Sequence, residues 1–595
     1  MGCKITKKLG VGSWETEVFF KNDGLLKIIS LKWIKNRIFA RLIIVTDMKR
    51  LSLSLILMIC AVFAQAQIAS NIYWVQFTDK ANSPYSIDNP EQFLSARSLE
   101  RRARLGIAVD EYDIPVNPQY LQAVAECGAQ LLNPSKWLNG VSVYTTSQSV
   151  VDAINALEFV QVVRNCPNYP EAQRDKEIWM ANEQKATSQP VKSRGYYGGA
   201  ETQVTQLRVN ELHEMGYDGT GVFIAVLDGG FTGTDIHPTF DNMREEGRLI
   251  GVRDFVYGST SVYSQSSHGT ACLSTIAAYD PNNMVGTAPK AMFYLMHTED
   301  GNGENIVEEY NWVSGAELAD SLGVDICSTS LGYIDFDMPQ WDHPIEHFDG
   351  HTAPMTIGAE IAASRGIICT NSAGNEYDGY CTLGIPADAE HIITVGAVDR
   401  YGNRADFSSV GPTYDGRIKP DVMAMGEDTY VASGNPSGWY GPYYNGSGTS
   451  FSNPVLAGAV ACLRQARPSA SVQEICDALR AAGNNTENPD NHYGYGIPDF
   501  VQALELLDNV GEVVMGDKDI VSVFPNPSKG AVKVMLKEGI VINSATLYDV
   551  AGRVIVSTLN VNELEAALNS LESGVYTLKV SADNGNQTLK VVLTK

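Results

Sequence analysis

The chain has 595 residues, of which 44% are hydrophobic and 19% are charged, and its formal net charge is −25. This composition is typical of a globular protein, and at about 150 residues per domain the length predicts about four units. The acidity argues against nucleic acids and anionic membranes as partners, because both would repel the protein.

The N-terminal region contains the three parts of a secretory signal. Residues 48–50 are Met-Lys-Arg, residues 51–63 are apolar, and residues 64–66 supply the small side chains of a cleavage site. The apolar run is too short for a comfortable transmembrane helix. We therefore predict a signal peptide over 48–66 and interpret residues 1–47 as an over-extended or non-native upstream segment. The alternatives are a long cytoplasmic n-region and an uncleaved anchor.

The residue pattern of the next segment, 67–195, predicts a small α+β unit followed by a linker. Alternating apolar residues indicate strands, and amphipathic stretches indicate helices between them. The strands are expected at 72–77, 141–144 and 159–163, and the helices at 92–104, 118–127 and 147–157. The polar stretch 168–199 is typical of an exposed linker, which is a natural site of proteolytic cleavage. The alternative is an ordinary N-terminal domain that stays attached.

Residues 196–508 alternate between strand and helix patterns, as a parallel α/β sheet requires. The strands are expected at 222–227, 291–296, 324–329, 366–370 and 392–396. The helices are expected at 268–279, 304–321, 355–365, 455–464 and 498–507. The predicted fold class is therefore α/β, with a mainly parallel sheet flanked by helices.

Three short motifs in this region carry chemistry. Asp228 ends an apolar strand, His268 opens an apolar helix, and Ser450 lies among glycines before a helix of small residues. Glycines let the backbone approach a substrate, and a helix N-terminus offers free N–H groups and partial positive charge. Each residue alone is also typical of a turn or a helix cap. In this chain order they predict an Asp–His–Ser triad.

The stretches 226–230, 267–270 and 448–454 resemble the three signature segments of the subtilases, and 371–375 resembles the fourth. The resemblance covers about residues 196–508. It implies a subtilisin-like fold and a serine endopeptidase that works through an acyl-enzyme intermediate. The rival hypothesis is a surface-exposed binding or adhesive protein on a catalytically inert subtilase fold. Inert relatives would not need all four catalytic positions filled, and this chain fills them.

The resemblance also assigns roles to individual residues. Ser450 is the nucleophile, His268 the general base, and Asp228 the residue that holds the imidazole. The side chain of Asn375 is expected to bind the oxyanion together with the backbone N–H of Ser450. The residues expected to line the substrate cleft are Ser330, Leu331, Gly332, Ser372, Ala373 and Gly374.

Three positions depart from the family pattern. Gly229 stands where relatives often carry a hydroxyl residue, and Ala271 stands where a second histidine is frequent. The stretch 452–455 reads Ser-Asn-Pro-Val in place of the commoner Ala-Ser-Pro-His. These departures keep every triad atom, so they leave open the subfamily and the substrate preference but not the mechanism.

Metal sites are not assigned by the sequence. His343, His347 and His351 recur every four residues, but Pro344 and Gly350 argue against one uninterrupted helix there, so no metal is predicted. The resemblance implies that the chemistry requires no cofactor; structural calcium is compatible with the acidity, with no sites assigned. We interpret most cysteines of this domain as buried thiols, and export would permit a disulfide such as Cys369–Cys381.

Residues 509–595 change to short alternating strands and turns. The stretches 521–530, 547–553 and 573–579 resemble the C-terminal β-sandwich sorting domain of the type IX secretion system. The alternative is a carbohydrate-binding or stabilising sandwich. The position of the N-terminal unit resembles that of the inhibitory, fold-assisting subtilase propeptides. The predicted partners are protein or peptide substrates, the propeptide and the type IX machinery. The product is expected outside the cell or on its surface after passing the periplasm; the oligomeric state is not assigned.

Overall fold

The computed structural model describes residues 71–166, 195–438 and 441–511 and, towards the C-terminus, 520–524, 532–536, 540–550, 552–582 and 585–593. The predicted signal peptide, the upstream segment and most of the predicted linker lie outside these residues. Within the described ranges, no helix is long and apolar enough to cross a membrane.

The N-terminal unit is an antiparallel sheet of four strands in the order β2-β3-β1-β4, covered by helices. Its core is formed by the apolar faces of both, including Val75, Val124 and Ile154. The strands are β1 (Ile72–Phe77), β2 (Gln130–Ser135), β3 (Gly140–Tyr144) and β4 (Val160–Asn165), and the helices are α1 (Ala96–Leu105), α2 (Pro118–Glu126) and α3 (Gln148–Asn155). The predicted elements are all present with shifted ends. Strand β2 is additional, because Asn133 and Pro134 interrupt the apolar pattern by which a strand is recognised.

The central unit is built on a parallel sheet of seven strands in the order β13-β12-β11-β10-β5-β9-β6. The strands of this region are β5 (Phe223–Asp228), β6 (Leu249–Asp254), β7 (Tyr279–Asp280), β8 (Met284–Val285), β9 (Met292–His297), β10 (Ile326–Thr329), β11 (Ile368–Ser372), β12 (Ile393–Val398), β13 (Val422–Met425), β14 (Thr429–Ala432) and β15 (Tyr443–Gly446). Every residue of β5 is buried, which explains its unbroken apolar sequence.

Helices cover both faces of this sheet. They are α4 (Glu201–Thr205), α5 (Val209–Glu214), α6 (Asp241–Glu245), α7 (His268–Ala277), α8 (Val307–Leu322), α9 (Pro354–Ser364), α10 (Thr449–Ala466), α11 (Val472–Ala481) and α12 (Phe500–Gly511). One large apolar core contains the small residues of α7 and α10, and another contains the inner face of α8. The predicted α/β fold class is therefore confirmed, with β6 and β13 as sheet strands that the sequence pattern missed.

The parallel direction of the strands positions the site, because it brings their carboxyl ends to one edge of the sheet. Asp228 ends β5, and the segment Ser330-Leu331-Gly332 follows β10. Ser372 ends β11, the neighbour of β10 on the other side from β5. The predicted site residues of these strands therefore share one edge, which is where α/β sheets bind ligands.

The C-terminal region forms two antiparallel sheets with a common apolar core. Its elements are β16 (Val521–Phe524), β17 (Lys533–Leu536), β18 (Ile542–Tyr548), β19 (Val554–Thr558), α13 (Val561–Asn569), β20 (Gly574–Ala582) and β21 (Gly585–Leu593). The first sheet pairs β16 with β17, and the second has the order β19-β18-β20-β21. The two sheets agree with the expected sandwich, and α13 is an element that the sequence analysis did not anticipate.

The N-terminal unit packs on helix α8 through buried polar contacts. Glu317 accepts hydrogen bonds from the backbone N–H groups of Lys136 at 2.7 Å and Trp137 at 3.0 Å. Asp320, one turn further along, binds Arg101 at 2.7 Å. Because the partners come from opposite sides of the interface, these buried groups fasten the two units together.

Candidate active site

Asp228 and His268 form a hydrogen-bonded pair at the edge of the sheet. The Nδ1 atom of His268 lies 2.8 Å from Oδ1 of Asp228, which also accepts from the backbone N–H of Gly229 at 2.8 Å. Burial lowers the pKa of His268, but the adjacent Asp228 carboxylate outweighs it and holds that pKa well above its usual value. In the neutral ring, a proton on Nδ1 leaves Nε2 free to accept another.

Ser450 lies inside the first turn of α10, whereas the sequence pattern placed it before the helix. The helix begins at Thr449 and continues through Pro454. Proline has no N–H to donate to the carbonyl four residues earlier, which belongs to Ser450. That oxygen instead accepts from the hydroxyl of Ser330 at 2.8 Å and from the thiol of Cys272 at 3.3 Å. Pro454 thus leaves the Ser450 carbonyl available for contacts with α7 and with the residue that follows β10, while the helix stays intact.

The Ser450 hydroxyl donates to the backbone carbonyl of Ser330 at 3.3 Å. Among the residues that the structure describes, no hydrogen bond joins Ser450 to His268. Hydrogen bonds of resting active sites are often long or misaligned and tighten in the complex with substrate. A hydrogen bond between Ser450 and His268 would therefore have to form in such a complex before the two residues could exchange a proton.

Cys272 is a neighbour of the His–Asp pair that the sequence analysis treated only as a small apolar residue. Its sulfur lies 3.8 Å from Nδ1 and 3.9 Å from Nε2 of His268. Burial raises the pKa of the Cys272 thiol, so it stays protonated and is a poor nucleophile. The spacing of four residues from His268 within one helix is the signal that could have found this contact.

Asp228, His268 and Cys272 also have the spacing of metal ligands. Their ligand atoms lie within 4.8 Å of one another, and no other group of at least three His, Cys, Asp or Glu side chains in the described ranges does so. Two of the three residues form the hydrogen-bonded pair of the predicted triad. A metal at this position would therefore compete with the His–Asp hydrogen bond.

Asn375 is oriented by Thr449, a residue that the sequence analysis did not single out. The Oδ1 atom of Asn375 accepts from the backbone N–H of Thr449 at 2.9 Å and from its hydroxyl at 3.0 Å. Both contacts fix the side-chain amide with its oxygen turned towards the start of α10. The Nδ2 group is consequently the end of the amide that remains to donate towards a substrate near Ser450.

The six predicted cleft residues follow β10 and β11 at the same sheet edge. The carbonyl of Leu331 accepts from Nδ2 of Asn371 at 3.1 Å, which connects the two segments. Tyr333, next in the chain, exchanges backbone hydrogen bonds of 3.0 and 2.9 Å with Ile385. The segment 330–332 is thus held on both sides, and the structure brings the predicted cleft residues close to Ser450.

The structure also describes the three histidines and the two cysteines that the sequence analysis considered. No helix runs through His343, His347 and His351; a short 3₁₀ turn, Ile345–His347, lies there instead. His343 and His347 do contact each other, with their Nδ1 atoms 3.1 Å apart. Cys369 and Cys381 are both free thiols, so the disulfide that export would permit is not formed.

Comparisons with known families agree with this geometry. Residues 219–496 match the subtilase family, also called peptidase S8. Residues 72–179 match the peptidase S8 propeptide domain of Bacteroidota. Residues 522–594 match the secretion system C-terminal sorting domain, which indicates export through the type IX system.

The chain is also similar to several bacterial subtilisins. Subtilisin NAT of Bacillus subtilis subsp. natto is 34% identical over 299 residues, which cover 49% of this chain and 68% of the relative. Subtilisin of Bacillus pumilus is 33% identical over 299 residues, covering 49% of this chain and 94% of that protein. Serine protease AprX of Bacillus subtilis (strain 168) is 32% identical over 303 residues, covering 47% of this chain and 65% of that protein. The chain therefore belongs to the subtilase family and is a serine-type endopeptidase.

Proposed function

We propose that this enzyme cleaves peptide bonds with a triad of Asp228, His268 and Ser450 and is exported as an inhibited precursor. The observation that carries the proposal is the 2.8 Å contact between His268 and Asp228 beside the helix start that holds Ser450. A serine hydroxyl is a poor nucleophile at neutral pH, so it needs a base that is itself held in place. The His–Asp pair supplies such a base.

In the proposed reaction Ser450 attacks the carbonyl carbon of the scissile bond. Nε2 of His268 takes the hydroxyl proton and then gives it to the leaving amine, which produces an acyl-enzyme. The Asp228 carboxylate stabilises the imidazolium between these two transfers, in agreement with the raised pKa of His268. Water then attacks the acyl-enzyme with His268 again as the base, which frees the acid product and restores Ser450.

The oxyanion of each tetrahedral intermediate is assigned to two donors. One is Nδ2 of Asn375, whose amide is oriented by Thr449, and the other is the backbone N–H of Ser450. An extended peptide would lie against the segments 330–332 and 372–374 and pair with their backbone as an added strand. All of these steps use side chains and backbone, so the chemistry requires no cofactor. Structural calcium is common in subtilases, and we assign no calcium ligands.

We further propose that the unit within 67–195 is the enzyme's own inhibitor and folding aid. Its support is the match to a propeptide domain and the buried contacts with α8. The catalytic unit would span 196–508 and the sorting unit 509–595, behind a signal peptide at 48–66. This makes the enzyme a secreted or surface-attached endopeptidase of protein and peptide substrates.

The test is active-site labelling of the purified processed protein with a fluorophosphonate. We expect one labelled tryptic peptide carrying the probe on Ser450, with loss of labelling in Ser450→Ala. Ser452→Ala is the matched control, because Ser452 lies in the same buried turn and its hydroxyl donates to Thr449. A folded protein that resists labelling would instead support the rival hypothesis of a binding or adhesive protein on an inert fold.

A further inference from the structure

A chain of three ionisable side chains, two of them buried, lies near Ile334, just beyond the 330–332 segment. In the loop between β10 and α9, Nε2 of His343 donates to Oε1 of Glu309 at 2.5 Å. The side chains of His343 and Glu309 are only 5% and 0% exposed. On the other side of the same ring, Nδ1 of His343 lies 3.1 Å from Nδ1 of His347. A buried charge is costly to leave unpaired, so this arrangement is held tightly.

These contacts join three elements around the loop. Glu309 belongs to α8, and its second carboxylate oxygen accepts from the backbone N–H of Met355 at 3.0 Å, at the start of α9. The backbone N–H of His343 donates to the carbonyl of Ile334 at 2.9 Å and closes the loop at its base. Ile334 is two residues beyond Gly332. His343 is therefore bonded to the chain just after the predicted substrate-binding segment ends.

The charge on each ring decides which nitrogen donates in these hydrogen bonds. Burial lowers the pKa of His343, but the Glu309 carboxylate outweighs this and raises it, with further help from Asp388 and Asp342. A charged His343 is a donor at both nitrogens, to Glu309 and to His347. The Nδ1 atom of His347 must then be a bare acceptor, so His347 must be neutral.

The surroundings of His347 favour that neutral form. Burial lowers the pKa of His347 first, and the charge of His343 lowers it further. The acidic groups that face it, Asp349, Glu309 and Glu346, oppose this without reversing it. The two rings are therefore driven to opposite charge states around neutral pH.

We propose that Glu309, His343 and His347 act as a proton-sensitive latch that positions the 330–332 segment for substrate binding. This inference rests on the proposed peptidase function. As the pH falls below the usual histidine range, His347 gains a proton on Nδ1, which then faces the N–H of His343, and the hydrogen bond is lost. As the pH rises through the raised pKa of His343, the positive charge that binds Glu309 is lost. The latch is closed between these limits.

The latch predicts a KM that is lowest near neutral pH and rises on both sides, because it acts on binding and not on the triad. We expect KM for a peptide substrate to rise about fivefold or more from pH 7 to pH 5 in the processed enzyme. The His347→Asn variant keeps an acceptor oxygen but cannot titrate, so its KM should stay flat over that range while its kcat equals that of the wild type at each pH. His351→Asn is the matched control, since His351 lies in the same loop with its side chain exposed.

If KM of His347→Asn rises between pH 7 and pH 5 as much as that of the wild type, the latch is overturned. A wild-type protein that hydrolyses no peptide would overturn the proposed function instead. His343→Gln alone leaves Glu309 charged and buried, and it risks unfolding. The double variant Glu309→Gln/His343→Gln removes both charges of the buried pair together and should raise KM at neutral pH while kcat changes less than about twofold. A folded double variant with the wild-type KM would also contradict the proposal.

An activity-independent measurement completes the test. In the Ser450→Ala protein, NMR of ring-labelled histidines should show His343 titrating above the usual histidine pKa and His347 below it. The two resonances are assigned through the Glu309→Gln/His343→Gln and His347→Asn variants. Titration of both rings with ordinary histidine pKa values would overturn the latch whatever the kinetics show.

Discussion

Two fully buried aspartates, Asp228 at the sheet edge and Asp320 on α8, differ in how completely their carboxylates are bonded. Asp320 binds Arg101, Arg102 and Lys136 of the N-terminal unit, and both of its oxygens are used. Asp228 uses one oxygen for His268 and Gly229, while its Oδ2 has no hydrogen-bond partner in the described part of the chain.

The difference follows from what each carboxylate must do. Burial raises the pKa of Asp320, but Lys136 and the two arginines outweigh it and hold that pKa at about 2. All of these charges are permanent, so the cluster fastens two units and does not respond to a proton transfer. In the proposed mechanism, Asp228 faces a partner that gains and loses a proton in each cycle. The interface carboxylate of Asp320 is thus fully bonded to permanently charged side chains. The carboxylate of Asp228 instead faces a histidine whose charge is proposed to change during the reaction.

The largest expected effect comes from a substitution that impairs the proposed active site and leaves the interface around Asp320 unchanged. Ser450→Ala should lower kcat by roughly 10⁶-fold, a magnitude taken from subtilisin, because the nucleophile is lost. The thermal unfolding temperature should stay near that of the wild type, since the change removes one oxygen from a helix that keeps its other contacts. Peptide hydrolysis and calorimetry of the same preparation test both statements. Substantial hydrolysis by purified Ser450→Ala would refute the triad.

The second prediction concerns a substitution that weakens the interface between the N-terminal unit and α8. Asp320→Asn leaves Arg101 and Lys136 without their anion, whereas Arg102 keeps Asp113. Breaking a buried ion pair costs about 3–5 kcal/mol. The inhibition constant of the released N-terminal fragment should therefore rise by about 10²-fold or more. The kcat and KM of the processed enzyme should not change, because Asp320 is not at the sheet edge. Asp477→Asn, an exposed aspartate on α11, serves as the control; equal inhibition of both variants would contradict the prediction.

Much of the active site could be predicted from the sequence because its residues stand where regular elements begin or end. Asp228 closes an apolar strand and His268 opens an apolar helix, so local patterns locate both. The strands β6 and β13 were missed for local reasons too. The edge strand β6 is only partly buried and contains Gly251 and Arg253, while β13 has four residues.

Contacts between distant parts of the chain could not be predicted in this way. Arg101 and Asp320 are 219 positions apart, and nothing local in either stretch indicates the other. The pairing of Glu309 with His343 depends equally on how α8 packs against the following loop. Thr449 was overlooked because its role appears only when the start of α10 packs against Asn375. Local sequence patterns therefore indicate the candidate catalytic groups more readily than the residues that hold them.

The third prediction removes the side-chain amide of Asn375, which is proposed to donate to the oxyanion, a charge that exists only during the reaction. Asn375→Ala should lower kcat by about 10²–10³-fold, the size of the effect in subtilisin. KM should change little, because the oxyanion forms only after attack. Thr449→Val is a companion variant that removes the hydroxyl bonded to Asn375, with a smaller loss of kcat expected. A defect of Asn375→Ala confined to KM would contradict the oxyanion assignment.

The smallest expected effect comes from giving the second carboxylate oxygen of Asp228 a hydrogen-bond donor, since both oxygens of Asp320 already have one. A Cβ on Gly229 would meet its nearest neighbours at 3.8 and 3.9 Å, which is ordinary contact, so serine fits. The new hydroxyl lies next to Asp228 and can donate to the unbonded Oδ2. A hydrogen bond to a charged group contributes about 1.5–3 kcal/mol. Gly229→Ser should therefore raise the free energy of unfolding by about that amount relative to Gly229→Ala, which adds the carbon without the donor.

The competing acceptor for this hydroxyl is Glu299, whose Cδ would lie 3.9 Å from the same Cβ. The two acceptors are separated by measuring the Gly229→Ser gain again in an Asp228→Asn background. A bond to Oδ2 loses most of its strength there, because the acceptor loses its charge, whereas a bond to Glu299 keeps it. We expect the gain to shrink by more than half and kcat of Gly229→Ser to stay within about threefold of the wild type. A gain of equal size in both backgrounds would show that the second oxygen of Asp228 accepts no such bond.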